Sequence, residues 1–162
     1  MKKILLLAAL TMVAGCTSNA PENAVSANSS DINSSSAADT RTPAQVVQHH
    51  VDAIKAADMG PLMADYAPDT VLLTFEGLMP DSYPAKGPAI WAGKDNARKV
   101  MAYLTNADHI VAVRSMTDTI EPIGDNVAIL HWKQFEGTPK EVVGEDIFIV
   151  KNGQITMQYL LP

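Results

Sequence analysis

The sequence predicts an α+β domain: about three helices from its N-terminal half pack on one face of a curved antiparallel β-sheet drawn mostly from its C-terminal half. Two patterns carry that expectation. Apolar residues recur at three- and four-residue spacing before residue 105, and long β-branched or alternating runs joined by tight-turn strings follow it.

The first helix starts at Thr42-Pro43-Ala44-Gln45, which supplies a capping hydroxyl, a proline for the first helical position and a glutamine three residues after the cap. Val47, Val51, Ile54 and Ala57, with His50 beside them, form its buried stripe, and Asp58-Met59-Gly60 ends it. Pro61 opens a second, short helix with Leu62, Met63 and Tyr66 inward, closed by Pro68-Asp69. Residues 70–76 read as a strand. Residues 77–93 hold Pro80, Pro84 and Pro88 and form an irregular stretch long enough to cover a site, interrupted by a brief strand over 89–92. Lys94 or Asp95 begins a third helix that buries Ala97, Val100, Met101 and Leu104. Residues 109–120, 126–136, 141–151 and 154–161 are strands. Gly124-Asp125-Asn126 and Lys151-Asn152-Gly153 are turns, the latter suited to a primed hairpin.

The N-terminus has its own logic. Lys2 and Lys3 precede an apolar run over 4–13, and Val13-Ala14-Gly15-Cys16 closes it with small residues. That is a secretory signal pattern, too short to span a bilayer as a helix. It resembles the lipobox of bacterial lipoproteins, which implies a mature chain beginning at an acylated Cys16 and anchored to a membrane through acyl chains. By the sorting habit of this class, Thr17, where an aspartate would favour inner-membrane retention, implies the outer membrane facing the periplasm in a bacterium with two membranes, and display outside the cell in one with a single membrane. Cys16 is the only cysteine, so no intramolecular disulfide can form. Residues 17–42 are mostly Ser, Asn, Ala and Thr and bury too little to offset their ordering entropy. They read as a disordered tether spanning about 25–30 Å if flexible. The expected organisation is a signal peptide over 1–15, lipidated Cys16 and tether over 16–42, and one domain over 43–162.

The net charge is −6, and losing Lys2 and Lys3 with the leader makes the mature chain more acidic still. An acidic chain without Lys/Arg clusters has no electrostatic means of holding nucleic acid. No His/Cys/carboxylate set has metal spacing, since the rings of His49 and His50 diverge on a helix. No glycine-rich phosphate loop, nucleophile elbow or dinucleotide fingerprint is present, so no cofactor is expected.

Three strings carry a family resemblance: VVQHHVDAIKAADMGPLMADYAPDTVLL over 46–73, GKDNARKVMAYL over 93–104 and GEDIFIVKNGQITMQ over 144–158. They resemble the nuclear transport factor 2-like superfamily, which includes ketosteroid isomerases and SnoaL-like polyketide cyclases. The resemblance implies a cone-shaped sheet whose helices enclose a pocket, and a fold that hosts both enzymes and non-catalytic binders. Carried onto this chain, the isomerases' donor tyrosine falls on His50, their base aspartate on Thr74, which cannot serve as a base, and their carboxylic-acid donor on Asp146. A steroid isomerase is therefore not expected, while another acid-base reaction stays open.

Strand alternation puts Asp146, Phe148 and Val150 on one face, and the resemblance sends that face into the pocket. Desolvation among Phe and Val would raise the Asp146 pKa and let it act as acid or donor. His50, beside the apolar stripe of the first helix, is the candidate base or second donor. Tyr66 and Trp91 are candidates for the pocket mouth. His131 and Trp132 lie on opposite faces of one strand and compete for the interior, whereas His49 and His109 look like surface or strand-end residues. The function expected is an envelope lipoprotein that binds a small, largely apolar molecule. Its alternatives are a cofactor-independent isomerase, cyclase or dehydratase using Asp146 and His50, or an interaction module that forms a homodimer through the open sheet face.

Overall fold

The computed structural model describes residues 40–79 and 89–162. The expectations for the leader, Cys16 and the tether up to residue 39, and for the proline-rich segment 80–88, lie outside the described residues. The elements run α1 (Pro43–Ala56), α2 (Met59–Ala64), β1 (Tyr66–Thr74), β2 (Ala89–Ala92), α3 (Lys94–Leu104), α4 (Ile110–Arg114), β3 (Thr117–Ile123), β4 (Val127–Gln134), β5 (Val142–Lys151) and β6 (Gln154–Leu161). The six strands form one curved, unclosed sheet in the order β2-β1-β6-β5-β4-β3. The α+β class and the one-sided helical layer are as the sequence predicts.

α1 is fixed by the capping box: Gln45 N donates to Thr42 Oγ1 at 3.3 Å, and Thr42 N donates to Gln45 Oε1 at 2.8 Å. It ends where Ala57 turns left-handed. Val46, Val47, His50, Val51 and Ile54 face inward, and α1 lies across β3, β4 and β5. α3 covers β1 and β2 through Ala97, Val100 and Met101. At the far end, the left-handed Asn152 and Gly153 make the expected primed hairpin between β5 and β6.

Three expectations need correction. First, the second helix ends at Ala64, and Tyr66, Pro68 and Asp69 belong to β1. Pro68 and Asp69 are exposed where the pairing with β6 shifts between Tyr66 and Val71, so a proline without an N–H breaks no ladder bond there. Second, the sheet is not wholly antiparallel, because β1 pairs with β6 in parallel. Third, residues 110–114 form a fourth helix rather than a strand. Asn106 Oδ1 accepts from the N–H groups of Asp108 and His109 and turns the chain into it. The β-branched run Ile110-Val111 reads as strand by propensity, but here the local cap and packing against α1 decide.

Asp65 is a structural charge that the sequence reading did not single out. Its fully buried carboxylate accepts from Arg41 Nη1 at 2.8 Å and pairs with His49 Nδ1 at 2.7 Å, while Arg41 Nη2 reaches Gly153 O at 3.0 Å. These bonds tie the start of the domain to the β5–β6 hairpin. Asp65→Asn removes the charge and leaves Arg41 without its anion, so it is expected to lower unfolding free energy by about 2–3 kcal/mol. Urea denaturation of the two proteins checks this.

Candidate functional site

The inner face of the sheet is read off the strand alternation: Ala128 and Leu130 on β4, Asp146, Phe148 and Val150 on β5, and Gln158 and Leu160 on β6 are buried. α1 and α4 do not close fully over these strands. A cavity of about 360 Å³ remains between them, within the range of small-molecule sites. Its walls are Val51 and Ile54 from α1, Ala112, Val113 and Met116 around α4, and Leu130, Val142 and Leu160 from the sheet. Phe75, Tyr103 and Trp132 add aromatic surface, and the polar lining is His50, His109, Gln134, Asp146 and Gln158.

Asp146 is the centre of the polar floor. Its Oδ1 accepts from Trp132 Nε1 at 3.1 Å and its Oδ2 from Gln158 Nε2 at 2.9 Å. Gln158 is oriented in turn by the Tyr66 hydroxyl, which donates to Gln158 Oε1. Burial pushes the Asp146 pKa up to about 6, against the opposing pull of the two hydrogen bonds. The same burial, with Asp146 and Asp65 nearby, holds the Tyr66 phenol well above its ordinary pKa, so it stays a donor.

His50 stands edge-on to Tyr66 and Phe148, with ring centroids 5.4 Å from each. Its Nδ1 is buried without a hydrogen-bond partner among the described residues. Desolvation brings its pKa down to about 4, opposed by the charge of Asp65 and reinforced by His49. The usual order of a carboxylate and an imidazole is thus inverted, and near neutrality His50 is uncharged.

The indole position depends on Gly144, its partner across β4 and β5. A Cβ at Gly144 would lie 2.2 Å from Trp132 Cζ2 and 2.7 Å from Leu161 O. Only a glycine lets the ring lie over β5 and aim Nε1 at Asp146.

The structure therefore brings Asp146, His50 and Trp132 to one cavity. Tyr66 and Phe148 lie behind its floor as fully buried supports, so Tyr66 is not at the mouth. Trp91 is not at the mouth either: it is a buried residue of β2, and its Nε1 donates to Thr74 Oγ1 at 3.1 Å. The competition on β4 is resolved for Trp132. His131 faces the other side of the sheet, where Nδ1 meets Glu145 at 2.9 Å and Nε2 meets Glu121 at 3.1 Å, raising its pKa. Glu145 points outward as alternation predicts. His109 is half-buried, stacks on Tyr103 at 4.1 Å and lines the cavity, contrary to its surface reading. Gln158 was missed, although it shares the inward parity of Leu160. An open groove of about 710 Å³ also lies at one end of the sheet, but its His131, Lys133 and Glu136 are already paired with neighbouring side chains. Among the described residues, no group of three His, Cys, Asp or Glu is placed to hold a metal ion.

No protein-family model and no curated protein matches the sequence. As a structure, it is similar to IdmH of Streptomyces antibioticus, a candidate polyketide cyclase, with a TM-score of 0.53 and 16% identity over 75% of this chain and 91% of that one. A nuclear transport factor 2-like protein of unknown function from Cytophaga hutchinsonii gives a TM-score of 0.51 at 10% identity, covering 74% and 88% of the two chains. Another from Mesorhizobium loti gives 0.51 at 18% identity over the same shares. Helices on the inner face of a curved six-stranded sheet, a cavity beneath them, and these likenesses together give the fold: the described domain has the fold of the nuclear transport factor 2-like structures.

Proposed function

We propose that this domain binds a small, largely apolar molecule in the cavity between α1, α4 and the sheet, with the molecule's polar group against Asp146, and that an acylated Cys16 holds the domain at the outer membrane facing the periplasm. The observation that carries the binding reading is the lining: apolar on nearly every wall, with one buried carboxylate, already oriented by Trp132 and Gln158, at the floor. Two cross-sheet rows on the opposite face favour a second copy as partner. Ile90, Leu73, Tyr159, Ile147 and Ile129 lie in register across five strands, and Val71, Met157, Ile149, Val127 and Ile123 do so beside them. On β5, the apolar pair Ile147 and Ile149 is flanked by Glu145 at one end and Lys151 at the other, so a two-fold related copy meets each charge with its opposite.

Native mass spectrometry of the protein gently extracted from its own cells tests both points. Two copies and a retained mass of a few hundred daltons per copy are expected. A bare monomer, with no adduct after mild desolvation, contradicts the reading. For the anchor, metabolic labelling with a fatty acid is expected to mark the wild type and leave Cys16→Ser unlabelled and released from the membrane fraction. Equal labelling of the two contradicts acylation at Cys16.

A second reading, a cofactor-independent acid-base enzyme, is favoured by the inverted pKa order of Asp146 and His50 within one cavity. It requires that Asp146→Asn and His50→Ala each abolish turnover while the fold survives. Wild-type rates in both variants would dismiss it.

A further inference from the structure

We infer that the molecule held in this cavity is a cation, an apolar amine whose ammonium group sits against the Asp146 carboxylate. The inference rests on the cavity being a binding site and names the chemistry of its occupant.

The carboxylate is in an unusual position. Asp146 is 8% exposed and its two hydrogen-bond donors, the Trp132 indole and the Gln158 amide, are both neutral. The Tyr66 hydroxyl donates to Gln158 Oε1, which leaves Nε2 facing Asp146. Two donors thus point at the carboxylate, one of them backed by the Tyr66 hydroxyl, an arrangement that favours the ionised form. None of them carries a charge. Among the described residues no lysine or arginine lines the cavity. Its other titratable groups are His50 from α1, His109 ahead of α4 and Tyr103 from α3, while Tyr66 of β1 lies behind the floor. His50 is kept uncharged by its own burial, so the nearest candidate cation is switched off.

A buried carboxylate without a counter-ion costs several kcal/mol, and the cost falls when an opposite charge arrives. Burial raises the Asp146 pKa because no cationic side chain of the described lining offsets the desolvation. The two donors use two of roughly four acceptor sites on the carboxylate, leaving capacity for an N–H donor from the cavity. The walls suit the rest of such a molecule. Phe75, Tyr103 and Trp132 line the cavity with aromatic surface, which tolerates a cation, and the aliphatic lining accepts its hydrocarbon. A neutral ketone fits less well. It needs donors, and the indole and amide N–H groups are already committed to Asp146.

The test uses a pair of probes alike in shape and different in charge, 4-phenylbutylamine and 4-phenylbutanol, titrated calorimetrically into the full chain carrying Cys16→Ser. At pH 7.5 the amine is expected to bind about tenfold tighter or more, and Asp146→Asn is expected to erase that preference while the alcohol still binds. At pH 6, amine binding is expected to release about half a proton, read from two buffers of different ionisation heat, because Asp146 is then about half protonated. Equal or tighter binding of the alcohol, or a preference that survives Asp146→Asn, overturns the cation and leaves the cavity reading standing. Binding of neither probe overturns both.

Discussion

Asp146→Asn is expected to make the domain more stable relative to wild type as pH rises, by about 2.5 kcal/mol between pH 4 and pH 7.5. The Asp146 pKa is raised from 3.8 to about 6 by burial, so the folded state binds its proton more tightly than the unfolded chain does. Stability from this group is complete below pH 4 and is lost as pH climbs through 6. Asparagine has nearly the shape of the protonated acid and no charge to desolvate, so it escapes that loss. His50 acts in the opposite sense. Its pKa is lowered from 6.5 to about 4, so its contribution is present above pH 6.5 and is lost as pH falls through 4. Between pH 4 and 6 the two slopes offset in the wild type, which should show a nearly flat stability profile. The Asn variant keeps only the His50 slope and should gain stability with pH at up to about 1.4 kcal/mol per unit. Urea denaturation at half-unit steps from pH 4 to 7.5 measures both curves. Parallel curves would mean that Asp146 is solvated.

Gly144→Ala is expected to cost about 3 kcal/mol or more, a large effect for a single methyl group. The added Cβ would meet Trp132 Cζ2 at 2.2 Å, Cη2 at 2.6 Å and Leu161 O at 2.7 Å. The indole can yield only by leaving its place over β5, and the backbone oxygen of β6 cannot yield without opening the ladder. Displacing the ring also withdraws its N–H from Asp146, so the carboxylate loses one of two donors and its pKa rises further. A Trp132→Phe background separates the two contributions. Phe lacks the outer ring atoms that collide, so Gly144→Ala should cost clearly less there, leaving the contact with Leu161 O as the remainder. Thermal and chemical denaturation of the four proteins closes this cycle. Equal costs in both backgrounds would mean that the indole is not what requires glycine.

The sequence discloses the fold to the extent that local chemistry decides it. The Thr42–Gln45 capping box, the α3 stripe and the Asn152-Gly153 turn each specify their element without help from distant residues, and each is found in place. Alternation on β5 likewise puts Asp146 inward and Glu145 outward. It fails where tertiary context wins. Pro68 looks like a helix stop but lies at an irregularity in a strand, and the β-branched Ile110, Val111 and Val113 look like a strand but form a helical turn seeded by Asn106. Parallel pairing of β1 with β6 is a long-range choice that no local string states. For the cavity, parity puts Asp146 on one face of β5, the family resemblance turns that face inward, and the helical stripe brings His50 to the same lining. Choosing between His131 and Trp132 required knowing which face the helices cover. Tyr103 and His109 enter the lining because of where α3 ends and α4 begins, which spacing along the chain does not encode.

The most direct test of the account is the carboxyl titration of Asp146 followed by carbon-13 NMR, with and without 4-phenylbutylamine. A midpoint near 6 in the free protein, falling when the amine is bound, is the predicted result for a desolvated carboxylate at the floor of a ligand cavity. A midpoint near 4 that the amine does not move would show a solvated surface acid and contradict the site.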